Sequence, residues 1–450
     1  MPVTTFKVAE KYRYLEGFGN HHQSEAFTGA SPIACNNPQR PPLGLITERI
    51  SGAAFTAPRS HCLQTWLYRA TSSRDHSGFR PYGLEPGRAN DFRSHLTPNA
   101  HRWLSFPVQD GQDWTDARLL AHSGDASMKT GLKYYIFAIT EDMKDAQAFS
   151  SLDGDMLIIP QQGALDIQTE LGNLLVRQNE IAVIPRGIRH RVILPTGQAR
   201  GYICELFQGH FRLPELGPIG TCSLANIRDF QVPVAAFDGT LQDGKACGNN
   251  REWRIISRLD GQLFSCTQDH TPFDVAAWNG TYYPYKYDLA RFCVLGSALY
   301  DHPDPSLFTI LTAPSYREPG TGVVDFAIIP PRWNVMENTY WLPYYHRNTM
   351  TEVSGPIIYN QDESCTWNQG LEFQPYAATI ASAMACHGAT EDAHRKAEEQ
   401  TTAPQKVSTE GYTVFLLETE CPLRVADWAM QQFETNEVAN GTVKGTKCNL

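Results

Sequence analysis

Little in this sequence points toward membranes, nucleic acid or an oxidising compartment. No stretch approaches the ~20 consecutive apolar residues of a bilayer-spanning helix. The opening Met1-Pro2-Val3-Thr4-Thr5-Phe6-Lys7 lacks the apolar run of a secretory signal. No basic stripe stands out and the net charge is -10, whereas phosphate backbones are gripped by clustered Lys and Arg. No C-x-x-C pair occurs. The 11 cysteines are scattered singly, which reads as reduced thiols rather than a disulfide framework or a thiolate metal site. No low-complexity tract interrupts the chain. These absences set aside a membrane span and a nucleic-acid partner, and the expectation is a cytoplasmic protein.

What is present is enough apolar material for a sizeable core. The 450 residues are 42% hydrophobic and 11% aromatic, room for two or three domains at roughly 100–200 residues each. Residues 1–130 are rich in Gly, Pro, Asn and Arg and read as loops and short strands, among them pieces holding Arg59, Trp66, Tyr68 and Arg69. From Leu132 the pattern changes. Lys133–Ile139, Met156–Pro160, Ala164–Thr169, Leu174–Val176, Ile181–Ile184 and Gly201–Phe207 are strand candidates separated by Gly, Asn and Pro turns. Spacing of about 8–12 residues between turn signals predicts a mainly β fold, a sandwich or barrel. Arg291–Leu295, Leu307–Leu311, Val323–Ile329 and Tyr412–Leu417 continue the pattern. Ala, Glu, Lys and Arg predict a helix over Glu391–Gln400. The polar stretch from Glu434 to Leu450 reads as a frayed tail.

Candidate chemistry concentrates late in the chain. Tyr344-Tyr345-His346-Arg347-Asn348-Thr349-Met350-Thr351-Glu352 holds a His and a Glu six positions apart. On a straight strand such residues share a face but stand about 20 Å apart, so two ligands of one ion would need a bend at Asn348-Thr349 or a contribution from long side chains. Taken alone, a solvated His and a surface Glu is the simpler reading. His387, in Cys386-His387-Gly388, could present its ring from a short loop. Two His and one carboxylate leave open positions on Fe(II) for a substrate and dioxygen. His302, between prolines in Tyr300-Asp301-His302-Pro303-Asp304-Pro305, suits a general base, or equally a turn His bonded to Asp301 or Asp304. Pro185-Arg186-Gly187-Ile188-Arg189-His190 looks like half of a cupin metal motif, but no His-x-His lies upstream, so His190 reads as structural or surface. His21 and His22 read as a loop pair.

Ordered phrases along the chain carry a resemblance. They include Leu15-Glu16-Gly17-Phe18-Gly19-Asn20, Ser51-Gly52-Ala53-Ala54-Phe55-Thr56-Ala57-Pro58-Arg59, Trp66-Leu67-Tyr68-Arg69, Asp301-His302, Pro330-Pro331-Arg332-Trp333, Tyr344-Tyr345-His346-Arg347-Asn348 and Cys386-His387-Gly388. From about Tyr14 to Trp428 the chain resembles the homogentisate 1,2-dioxygenase family. The resemblance implies cupin-like β-sandwich or barrel domains: a large N-terminal domain over 1–290, a smaller iron-carrying C-terminal domain over 291–433, and the tail over 434–450. It implies Fe(2+) held by His346, Glu352 and His387, with His302 as the acid–base residue. It also implies a small-molecule hydroquinone and O2 as partners, and a hexamer built as a dimer of trimers.

The same resemblance exposes two departures. Where the family has a Tyr after the Glu ligand, this chain has Gln361, with Tyr359 two residues earlier; where the family has a His six residues before the last ligand, it has Ala381. With Tyr345 and Asn348, these are the expected substrate contacts. The departures leave open a paralogue that cleaves a different substituted hydroquinone. A third reading, a non-catalytic cupin-like binding protein, has no reason to retain the two His and one Glu.

Overall fold

The computed structural model describes residues 4–83, 93–98, 101–103, 106, 110–215, 225–292, 308–334, 345–358, 378–387 and 413–432, with single positions and short pieces between 395 and 407. The described residues are mainly β, as the turn spacing predicts.

The body is built from two facing sets of strands. Strands that bury both faces read as continuous apolar runs rather than alternating ones. Thr130–Ile139, Asp155–Gln162, Glu180–Ile184 and Ala199–Leu206 are of this kind, with almost every residue buried. They lie in the middle of a ten-stranded sheet. Ala164–Thr169, Gly172–Arg177, His190–Ile193, Gln147–Ser151 and Trp253–Leu259 belong to a seven-stranded sheet. Leu157, Ile159, Leu165, Ile167, Val176 and Ile203 meet in one continuous core. The hairpin joining Ala164–Thr169 to Gly172–Arg177 turns at Glu170-Leu171, and the return strand opens on Gly172, whose φ of +130° and approach to Val234 O, 2.0 Å from where a Cβ would sit, only glycine accommodates.

A six-stranded antiparallel sheet carries the candidate site. Its order is Thr309–Pro314, Gly322–Ile329, Thr413–Thr419, Thr351–Ile358, Ala378–Ala381 and His101–Trp103. The last strand comes from the N-terminal third, and Trp103 Nε1 donates to Ala429 O at 2.8 Å. In return Arg424–Ala426 pairs with Arg118–Asp125 in the ten-stranded sheet. Each part of the chain therefore contributes a strand to the other's sheet. Two side-chain amides pin the site sheet to the larger body: Gln161 Nε2 donates to Pro356 O at 2.7 Å and Gln178 Nε2 to Ile357 O at 3.0 Å.

Local expectations need correction in places. Arg59 opens a short 3-10 turn rather than a strand. Leu289–Arg291 is likewise a 3-10 turn, capped by the Asp288 side chain, so no strand begins at Arg291. His22 opens strand His22–Glu25, its Nε2 2.9 Å from Gly17 O, rather than sitting in a loop. Most of the helix expected over Glu391–Gln400 and the tail from 434 lie outside the described residues.

Candidate metal centre

The six-residue gap between His346 and Glu352 is closed by a bend at Thr349–Met350, after which strand Thr351–Ile358 begins. His346 lies before the bend and pairs with His387 through its backbone: His346 N donates to His387 O at 3.0 Å and His387 N to His346 O at 3.1 Å. That two-way pairing holds the imidazoles together, ring centroids 4.2 Å apart at 61°. Glu352 enters from its own strand, where it sits directly opposite Ala381. Directly opposed residues project to the same face of the sheet, so the Ala381 methyl stands beside the carboxylate.

One ligand atom from each of the three side chains can be chosen so that all lie within 4.8 Å of one another. His387 Nε2 is 2.9 Å from Glu352 Oε2 and His346 Nε2 is 3.4 Å from Oε1. His387 Nδ1 is 2.9 Å from Ala385 O, a carbonyl that only accepts, so Nδ1 carries the proton. Nε2 is then left as a lone pair in the neutral ring. That nitrogen is buried and has no partner in hydrogen-bond geometry, its closeness to Oε2 notwithstanding. Two lone-pair donors converging on one point is what a cation resolves, and the donor set of two imidazoles and one carboxylate fits a divalent transition metal.

Electrostatics agree with the geometry. Burial alone would raise the Glu352 pKa; His387, Asn348 and His346 outweigh it and hold the carboxyl below its ordinary value. Burial disfavours a charged His387, but the adjacent Glu352 outweighs it and raises its pKa. A metal ion would take the place of that proton.

The other expected site residues fall out differently. Asn348 points at the centre, its Nδ2 donating to Glu352 Oε1 at 2.7 Å. Tyr345, next to His346, is 46% exposed. His302, Tyr359 and Gln361 lie outside the described residues. His190 is fully buried: Trp114 Nε1 donates to its Nε2 at 3.1 Å and its Nδ1 faces Ile188 O at 3.2 Å. Burial pushes its pKa down to about 4, so it is a neutral core residue and the surface alternative is withdrawn. Sequence reasoning missed the turn leading to His387, where Met384 adopts φ +63° and its N donates to Asn348 O at 2.8 Å. Nothing in a Met-Ala-Cys run signals a left-handed residue. Among the described residues, no helix is long and apolar enough to cross a membrane.

Comparison with known proteins gives the frame. A family model described as homogentisate 1,2-dioxygenase N-terminal matches residues 13–289, and its C-terminal counterpart matches 290–446. The chain is 47% identical to homogentisate 1,2-dioxygenase of Emericella nidulans over 434 residues, covering 96% of this chain and 94% of that protein. It is 41% identical to the Drosophila melanogaster protein of the same name over 439 residues, covering 95% of this chain and 96% of that one. For the Dictyostelium discoideum protein the identity is 42% over 428 residues, covering 94% of each.

Proposed function

The chain belongs to the homogentisate 1,2-dioxygenase family, and from that premise we propose that it is an iron(II) enzyme that opens the ring of homogentisate with O2 to give maleylacetoacetate. The observation that carries the reading is the convergence of His346, Glu352 and His387, with the His387 Nε2 lone pair buried and facing the carboxylate.

Each residue has a part in this reading. His346, Glu352 and His387 hold the metal, and Nδ1 of His387 is tethered to Ala385 O so that its other nitrogen is free to ligate. Iron(II) held by these residues would supply open coordination positions and electron-transfer chemistry for a substrate oxygen and dioxygen. His302 takes the proton of the hydroquinone hydroxyl, a task suited to an imidazole near neutral pH. Tyr345, Tyr359, Gln361 and Ala381 are the proposed contacts to the ring, while the Asn348 amide is bonded to Glu352. The hydroquinone provides all four electrons that dioxygen accepts, and both oxygen atoms end in the product, so no external reductant enters. The reading includes a division near residue 290, where the two family models abut, a cytoplasmic location and a hexamer arranged as a dimer of trimers.

A second reading has its own observation. Ala381 is buried and directly opposite Glu352, so a residue with no polar group stands beside the metal-binding carboxylate, where a polar side chain could have bonded a substrate. A lost charge-assisted hydrogen bond of about 1.5–3 kcal/mol corresponds to roughly 10- to 150-fold in affinity. Such a pocket favours a larger or less acidic hydroquinone.

Metal analysis and oxygen uptake test both readings. The purified protein should hold about one iron per chain, and His346→Ala, Glu352→Ala or His387→Ala should each remove it. Full iron and full activity in any of these variants removes that residue from the centre. Micromolar KM for homogentisate with rejection of larger hydroquinones sinks the second reading. Weak homogentisate turnover, improved by Ala381→His with Gln361→Tyr, establishes it.

A further inference from the structure

Three segments of chain meet at the metal centre, and Asn348 is bonded to the two that lie beyond its own. Its side-chain Nδ2 donates to Glu352 Oε1 at 2.7 Å. Its Oδ1 accepts from Met350 N at 2.8 Å, closing the bend that feeds the Glu352 strand. Its backbone carbonyl accepts from Met384 N at 2.8 Å. Met384 stands three residues before His387 in a left-handed conformation, φ +63°, that L residues rarely adopt. That hydrogen bond anchors the strained turn. Asn348 itself follows His346 by two residues.

We propose that Asn348 is a positioning residue for the metal-binding carboxylate: its amide fixes one oxygen of Glu352 and keeps the group turned toward His387 before a metal arrives. The inference rests on the reading of His346, Glu352 and His387 as a metal site. Glutamate has three rotatable side-chain bonds, and holding it in one arrangement costs conformational entropy that a free side chain would lose on binding the ion. A donor already seated on Oε1 moves that cost into folding. Carboxylate ligands are commonly steadied this way, and removing such a partner weakens metal affinity by about 10- to 100-fold. With Oδ1 given to Met350 N and Nδ2 to Glu352, the amide is oriented by the protein, which argues against a primary role in contacting substrate.

Asn348→Ser separates the two duties of the side chain. A serine hydroxyl can still accept from the N–H two residues on and keep the bend, but it is too short to reach Glu352 Oε1. The full-length protein is stripped of metal, then titrated with Co(II) in competition with a chelator, for wild type and variant. The metal-free thermal transition and the KM of the iron-saturated enzymes are measured alongside. The expected result is a Co(II) affinity lowered about 10- to 100-fold, a changed visible spectrum of bound Co(II), a metal-free melting point within a few degrees of wild type, and an unchanged KM. Wild-type Co(II) affinity in the variant overturns the proposal. So does a raised KM with affinity intact, which makes Asn348 a substrate contact. So does loss of the cooperative metal-free transition, which makes the bend its whole purpose. If the wild type binds no metal at this centre, the underlying reading fails first and this inference with it.

Discussion

His210→Gln tests whether a charged imidazole is sealed inside the larger body. His210 Nδ1 lies 2.6 Å from Asp155 Oδ2 and Nε2 lies 2.9 Å from Gly52 O. Both partners only accept, so both ring nitrogens carry hydrogen and the ring is an imidazolium. The surroundings agree: burial alone would lower the His210 pKa, but the Asp155 carboxylate overrides it and raises it, against the opposing effect of Arg186. Burial likewise pushes the Asp155 pKa up, and His210 and Arg186 together bring it below its ordinary value. With side-chain exposures of 8% and 3%, solvent screens the pair little. Glutamine keeps one donor group and reaches one acceptor, so the loss is one charge-assisted bond, about 2 kcal/mol. The sign with pH follows from the raised His210 pKa. The stabilisation is fully present below the unfolded-state value of about 6.5 and is lost as pH rises through the folded value, by up to about 1.4 kcal/mol per pH unit. At the acid end it is lost as pH falls through the depressed Asp155 value. Urea unfolding of wild type and variant at a series of pH values measures the difference. It should be largest on the acid side of neutrality and shrink in alkaline buffer. A difference that stays constant from about pH 5.5 to 9, across the ordinary His value, refutes the imidazolium.

Arg69→Met removes a wholly buried cation whose Nε and Nη2 both donate to Asp274 Oδ1, at 3.1 and 2.9 Å, and whose Nη1 donates to Glu170 at 3.1 Å. It should cost about 3–5 kcal/mol in denaturant unfolding, since two buried carboxylates lose their counter-charge; a near-neutral result would show that they do not depend on it. His302→Phe should retain iron while lowering turnover by roughly 10²–10⁴-fold in oxygen uptake, and a near-normal rate returns His302 to a turn residue. Met384→Val should destabilise by about 1–2 kcal/mol and Met384→Gly should not, because the β-branched chain suffers most at positive φ; equal melting points for the two would show that the turn relaxes without cost.

Local patterns account for much of what could be read in advance. Ala164–Thr169 and Ile181–Ile184 announce themselves through apolar residues bounded by turn formers, and both are strands. Strand length alone calls for a bend at Asn348-Thr349 or long side chains between His346 and Glu352, and the bend lies one residue later, at Thr349–Met350. The hydrogen bond from Asn348 to Glu352 depends on a fold-back that side-chain spacing does not encode.

The sequence by itself determined the β class, the turn positions and the chemical types available for a metal, since these depend on side-chain periodicity, backbone preferences and ligand chemistry within short windows. Only the tertiary structure decided that His346 and His387 pair through their backbones, that Ala381 faces Glu352, and that strand His101–Trp103 joins a sheet otherwise made of late segments. Those choices are made between segments far apart in the chain, where the winning partner is the one that satisfies unpaired edge groups and buries the shared core. A period of two along each strand says which face is inward and nothing about which strand lies alongside.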